Sequence, residues 1–182
     1  SDVVFHPLTS EWFSRRFRPA TDAQAQAWPA LAAGEDVLIS APTGSGKTLA
    51  FGAGIIDRIE RGKGVQSLVL TPTRELAEQV AQSLRIFSRW NGLFVKEVYG
   101  GVSMSPQIRD LSKAEIVVGT PGRILDHLER GTLKLGKVKF LILDEADRML
   151  EMGFIEDVEK IIRQCPKDRQ TLLFSATIYS DI

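Results

Sequence analysis

Only one of the 182 residues is cysteine, Cys165, so no disulfide can form within the chain, and a reducing compartment suits it. No run of residues approaches the ~18 apolar positions of a membrane span, and no N-terminal stretch of charge followed by apolar residues resembles a signal peptide. No membrane partner is therefore expected, and a cytoplasmic place is, with the nucleoid or nucleus left open. Neither sign of charge dominates: Lys and Arg number 23 and Asp and Glu number 23, which gives a formal net charge of zero. That balance excludes a strongly basic nucleic-acid coat, so any contact with nucleic acid must come from local groups. The two histidines, His6 and His127, lack a partner pattern for metal or triad chemistry, which leaves them structural or surface roles. No internal repeat, low-complexity tract or linker interrupts the chain. Hydrophobic residues (43%) and charged residues (25%) stand near the soluble globular average, so disorder is not expected. At ~100–200 residues per domain the length corresponds to one domain.

The ordering signal is a short β-rich apolar run, then a small-residue or Pro/Gly turn, then a helical stretch. Strands are expected at Asp36–Ser40, Gln66–Thr71, Phe94–Val98, Glu115–Gly119, Lys139–Asp144 and Thr171–Phe174. Helices are expected at Lys47–Arg61, Arg74–Arg89, Gly122–Arg130 and Ile155–Gln164. This alternation predicts an α/β fold with a parallel sheet and helices on both faces. The continuous run Phe140-Leu141-Ile142-Leu143 agrees, because strands buried on both sides carry no polar alternation. Two shorter helices are expected earlier, near Thr9–Arg16 and Thr21–Ala32, capped by Thr9 or Ser10 and by Thr21 or Asp22. The chain ends at Ile182 soon after the last strand, with no closing element, and reads there as a cut.

Two motifs carry chemistry. Ala41-Pro42-Thr43-Gly44-Ser45-Gly46-Lys47-Thr48 follows the first strand directly and opens a helix. It matches the phosphate-binding loop G-x-x-x-x-G-K-[ST] except that Ala41 replaces the first glycine. Gly44 and Gly46 let backbone N–H groups curl around phosphate oxygens, and the helix N-terminus adds its positive dipole end. Lys47 would reach the β- and γ-phosphates, while the Thr48 hydroxyl would join a Mg²⁺ shell. The second motif is Asp144-Glu145-Ala146-Asp147, at the end of the buried strand, where open α/β sheets bind ligands. Asp144 would hold the Mg²⁺, and Glu145 would orient or deprotonate the water attacking the γ-phosphate. The competing reading, carboxylates that merely cap the next helix, loses weight beside a phosphate loop.

With these motifs in view, the chain resembles the first RecA-like domain of the DEAD-box RNA helicases. Their further markers occur in order: Pro72-Thr73-Arg74-Glu75-Leu76, Gly100-Gly101, Thr120-Pro121-Gly122-Arg123 and Ser175-Ala176-Thr177. Ala41 is the usual residue of this family's loop. The resemblance implies a RecA-like P-loop fold that takes ATP and Mg²⁺, with Thr43, Gly44, Ser45, Gly46, Lys47 and Thr48 around the nucleotide. It implies Lys47, Asp144 and Glu145 as catalytic residues, with Thr48 and Asp144 on the metal. Pro72, Thr73, Arg74, Gly100, Gly101, Thr120, Pro121, Gly122 and Arg123 would grip single-stranded RNA. Hydroxyls, guanidinium groups and backbone N–H groups at strand ends suit a sugar-phosphate backbone without reading bases. For Arg74 and Arg123 the plainer reading is a surface salt bridge, and for Thr120-Pro121 a helix cap with an N1 proline. Asp147, Ser175, Ala176 and Thr177 would couple the ATP site to unwinding. A second RecA-like domain carrying an arginine finger would lie beyond Ile182, and the present chain would be a monomer.

The N-terminal segment divides the chain as residues 1–35, a helical segment with an adenine-reading motif, before the RecA-like domain at 36–182. Gln24 and Thr21 keep that motif's spacing, and a carboxamide can pair bidentately with an adenine edge. Phe5 is the candidate aromatic for stacking, with a core or lid place as the competing reading. The stretch from Phe5 to Trp28, with Trp12-Phe13 and Ala27-Trp28-Pro29, resembles the opening of the large helicase-related proteins. Two other functions stand beside the RNA helicase: a superfamily-2 DNA helicase or translocase, and an ATP-gated RNA clamp without turnover. Trp12, Trp28 and Trp90 fall at helical spacing and are expected to pack the domain. Cys165, beside Pro166, reads as a helix-end residue.

Overall fold

A computed structural model describes residues 37–40 and 55–175. Six strands form one sheet: β1 (Val37–Ser40), β2 (Ser67–Leu70), β3 (Val95–Val98), β4 (Ile116–Gly119), β5 (Phe140–Leu143) and β6 (Gln170–Ser175). Their spatial order is β1-β6-β5-β2-β4-β3, and every pairing is parallel. Helices α1 (Arg74–Ser88), α2 (Met104–Leu111), α3 (Pro121–Arg130), α4 (Ala146–Glu151) and α5 (Ile155–Arg163) fill the crossovers. All six expected strands are present to within one or two residues.

The period of two along each strand builds two cores. Leu68, Leu70, Val117, Leu141, Leu143 and Leu173 point to one face, under Leu111 of α2, Ile124 of α3, Met149 of α4 and Val158, Ile161 and Ile162 of α5. Val69, Ile116, Val118, Ile142, Leu172 and Phe174 point to the other, against α1 and the helical turn at Ile55 and Ile56. β2, β4 and β5 are covered on both sides and buried at every residue, which is why they are apolar but for Ser67 at the start of β2.

Helix boundaries follow local chemistry. Thr73, extended at φ −133° and ψ 156°, caps α1 by accepting the Leu76 N–H at 3.3 Å. Ala77, Val80, Ala81, Leu84 and Ser88 form the buried stripe of α1. Pro121 occupies the first turn of α3, where its missing N–H costs nothing, and Gly131 closes that helix at φ 75°. Two helices had no expectation. The eight-residue α2 carries Pro106 in its first turn, where the N–H has no intrahelical acceptor in any case. The six-residue α4 is too short to show a period.

Trp90 corrects an expectation. It stands in the 3₁₀ turn Arg89–Asn91 that follows α1 and is 90% exposed. Its helical spacing is real, but it continues the outer ridge through Ile86, itself exposed, and misses the buried stripe. His127 proves to be fully buried, so of its two expected roles only the structural one holds. Cys165 follows α5, is buried, and its Sγ lies 3.7 Å from the Ile161 carbonyl. Among the described residues, no helix is long and apolar enough to cross a membrane.

Candidate functional site

The carboxyl ends of the strands share one edge of the sheet, and register fixes what stands there. Ser40 of β1 pairs with Ser175 of β6, Leu143 of β5 with Leu173, and Leu143 also with Leu70 of β2. β1 ends at Ser40, and Asp144 leaves the sheet two strands away at β5, or about 10 Å at the usual strand spacing. Asp144 is anchored through its N–H to the Leu70 carbonyl at 2.8 Å and is 3% exposed. A buried carboxylate at a strand end is a hard oxygen donor of the kind Mg²⁺ takes singly, completing its shell from phosphates and water. Among the described residues there is no cluster of three or more His, Cys, Asp or Glu that could hold a metal.

Glu145 has a left-handed backbone, φ 52° and ψ 52°, the only non-glycine with positive φ among the described residues. An L-residue there costs roughly 1–2 kcal/mol. Its side chain is largely buried, and Arg148, one turn on, donates to Oε1 at 3.4 Å. The backbone turns at Glu145 so that β5 passes directly into α4, which leaves Asp144 and Glu145 at the sheet edge and Asp147 in the first helical turn.

A second cluster lies toward β4 and β3. Pro72, Arg74, Gly100, Thr120, Gly122 and Arg123 line one open cleft of about 480 Å³, together with Tyr99, Asp126 and Phe154. Separate loops and helix starts thus bring six of the nine expected strand-gripping residues into one depression. Thr73 and Pro121 cap and open the flanking helices, and Gly101 adopts φ 83° with open space around it. Thr120 caps α3 through its backbone alone, so its hydroxyl is not spent on the helix. Gly122 and Arg123 sit in the first turn of α3, whose N–H groups lack intrahelical acceptors and carry the positive dipole end.

Both arginines are held. The Arg74 guanidinium lies 4.8 Å from the centre of the Tyr99 ring and 3.5 Å from Glu78 Oε1. The surface ion pair expected as the plainer reading is therefore present. The Tyr99 hydroxyl donates to the same Glu78 oxygen at 2.7 Å, and that bond raises its pKa above the ordinary phenol value. Arg123 makes no such ion pair among the described residues. It donates to Gln107 Oε1 and to the Val102 carbonyl, both at 3.2 Å. Tyr99, Gln107 and Phe154 were not singled out in the sequence. Adjacency to Gly100-Gly101 was the one signal available for Tyr99.

Phe5, Thr21, Gln24, Thr43, Gly44, Ser45, Gly46, Lys47, Thr48, Ala176 and Thr177 lie outside the described residues, as do Trp12 and Trp28. Ser175 ends β6, beside β1 and β5.

Comparison with known proteins bears on this edge. A family model described as DEAD/DEAH box helicase matches residues 21–182. The "Probable ATP-dependent RNA helicase" of Methanocaldococcus jannaschii is 48% identical across the whole chain, which covers 49% of that protein. The "RNA helicase CrhR" of Synechocystis is 49% identical over 91% of the chain and 34% of its own length. The chain thus spans half or less of the curated relatives it matches. Among solved structures, a DEAD box protein from the hyperthermophile Methanococcus jannaschii superposes with a TM-score of 0.74 at 54% identity, over 77% of this chain and 39% of that one. A hypothetical ATP-dependent RNA helicase from Sulfolobus tokodaii gives 0.71 at 43% identity, over 91% and 49%. The fold of this chain is accordingly RecA-like, as its resemblance implied.

Proposed function

The chain belongs to the DEAD/DEAH box helicases, and from that premise we propose that it is the first RecA-like domain of an ATP-dependent RNA helicase. On this reading Lys47 and the backbone of Thr43–Thr48 hold the phosphates of ATP, Gln24 and Thr21 read its adenine, and Thr48 and Asp144 share the Mg²⁺. Bound there, the metal would neutralise charge on the transferred phosphoryl group. Glu145 positions the attacking water or takes its proton. Asp147, in the first turn of α4, and Ser175, at the end of β6, would act with Ala176 and Thr177 to relay the state of the nucleotide.

RNA lies along the second cluster. The observation that carries this part is the shared cleft, in which two cations, a helix N-terminus and an unspent hydroxyl converge beside a single carboxylate, Asp126. Such a set binds a sugar-phosphate backbone irrespective of sequence. A second RecA-like domain would close over both ligands and supply the arginine finger, a term worth ~10³–10⁵ in rate in related phosphoryl-transfer enzymes. Residues 1–182 alone would therefore bind nucleotide weakly, turn it over barely, and show no stimulation by RNA.

Three measurements on the complete protein test the reading. Lys47→Ala is expected to abolish most affinity for a fluorescent ATP analogue, and an unchanged titration would remove the phosphate-loop assignment. Competition between RNA and DNA strands of equal length should favour RNA, and equal affinity would favour the DNA translocase. Turnover separates the enzyme from a clamp, which binds RNA with ATP and does not hydrolyse faster for it.

A further inference from the structure

Gln107 is 3% exposed, lies on α2, and belongs to none of the motifs above. A buried carboxamide has four hydrogen-bonding positions to satisfy, and here its neighbours are specific. Its Nε2 donates to the Tyr99 carbonyl at 2.9 Å, one residue before Gly100-Gly101. Its Oε1 accepts from Arg123 at 3.2 Å and faces His127 Nε2 at 2.9 Å. Because Oε1 can only accept, Nε2 of His127 carries the proton. Nδ1 of the same ring lies 2.8 Å from the Thr132 hydroxyl, which fixes the plane of the imidazole. The ring is fully buried, so the carboxamide is clamped from behind as well as in front.

Both walls of the cleft meet at this one side chain. Toward α3 it orients the Arg123 guanidinium. Toward β3 it ties down the backbone of Tyr99, whose ring carries Arg74. Without Gln107, Arg123 would keep the Val102 carbonyl and, on the nitrogen that Gln107 now holds, only the weak Met104 Sδ acceptor at 3.7 Å, and it would regain part of the freedom of a long surface side chain. Resting on the strand-binding reading of the cleft, we infer that Gln107, backed by His127, is a positioning residue that sets both cleft arginines in place for the phosphates of the bound strand.

The test is strand binding by the complete protein, read as fluorescence anisotropy of a labelled single-stranded oligouridylate over a series of salt concentrations. Gln107→Met removes both polar arms at nearly constant volume. It should weaken binding at least about fivefold and lower the slope of log K against log salt by about 0.7 for each phosphate that an arginine no longer neutralises. A merely structural role would weaken binding without a change in slope. In an Arg123→Ala background the further effect of Gln107→Met should be reduced to the Arg74 share, since the partner it orients is gone. Full additivity of the two changes overturns the inference. Should Gln107→Met fail to fold, as a melting curve would show, Gln107→Glu serves in its place. Its carboxylate would neutralise Arg123 and compete with phosphate, so unchanged affinity for that variant overturns the inference equally. The underlying reading fails separately: if Arg74→Ala and Arg123→Ala each leave affinity and slope untouched, the strand does not lie in this cleft, and the inference falls with it.

Discussion

Replacing Gly119 with alanine offers a test of how the sheet holds the corner proposed to bind the strand. Gly119 ends β4 between β2 and β3, immediately before Thr120 and α3. A Cβ added there would stand 2.6 Å from the Val98 carbonyl oxygen and 2.6 Å from Ile124 Cδ1, where ordinary contact begins at 3.4 Å. Separation by about 0.8 Å is needed, and neither neighbour yields easily. The carbonyl belongs to the adjacent strand and accepts the Thr120 N–H at 3.1 Å, and Ile124 is fully buried in the core beneath α3. Overpacking of this kind costs ~1–3 kcal/mol, which at ~2–4 °C per kcal/mol for a domain of this size lowers the melting temperature by about 2–12 °C. Whatever relief occurs must move α3 against β3, so Thr120, Gly122 and Arg123 shift relative to Gly100 and RNA affinity falls with stability. Gly122→Ala is the contrast, because a Cβ there meets nothing within 4 Å and sits in a helix, where alanine is preferred. Its melting temperature should hold or rise. Thermal melts and oligouridylate titrations of both variants decide the matter. A Gly119→Ala protein that melts within a degree of the parent and binds RNA as well would refute the claim that close β4–α3 packing sets the corner.

Other outcomes follow from single groups. Glu145→Gln in the complete protein should keep ATP binding and slow hydrolysis by ~10²–10⁴-fold, and an undiminished rate would reduce Glu145 to a helix-start carboxylate. Glu145→Gly should slow hydrolysis at least as much, yet raise stability by about 1 kcal/mol through release of the left-handed backbone, as read by urea denaturation. Burial, and next the Arg123 charge, hold the His127 pKa below its ordinary value, with Arg130 acting in the same sense and Asp126 opposing. Below ~6.5 the unfolded chain therefore takes up a proton that the folded one refuses. Stability is fully present above that pH and declines as pH falls through the window, and His127→Asn should flatten the decline. A rise in stability on acidification would contradict the buried neutral ring. Burial also pushes the Cys165 thiol up to about 12, so a thiol reagent at pH 8 should react only once urea unfolds the chain, and immediate reaction would mean that the end of α5 stands open.

The sheet was legible because its strands are buried on both sides and their apolar runs have no other explanation. The arrangement of residues at its edge was legible in part. Asp144, Arg74 and Arg123 announce themselves by motif, and a motif says nothing of what holds a side chain still. Tyr99, Gln107 and His127 meet through contacts between α2, α3 and the end of β3, and the partners that Gln107 finds on α3 are 16 and 20 residues away in sequence. α2 itself was hidden by Pro106 and by its length, so Gln107 had no helix to sit on. Trp90 shows the converse limit: spacing places a residue on a ridge, and only the phase against Ala77, Val80 and Leu84 says which ridge faces water.

The central claim is that one sheet edge binds nucleotide at β1 and β5 and an RNA backbone beside β4 and β3, and that the two are coupled. The most direct measurement is phosphate release by the complete protein at saturating ATP, with and without single-stranded RNA, for the parent and for the Arg74→Ala, Arg123→Ala double variant. The account predicts that RNA accelerates release by the parent and that the double variant loses that acceleration at every RNA concentration the parent responds to. Acceleration that survives removal of both arginines would contradict it.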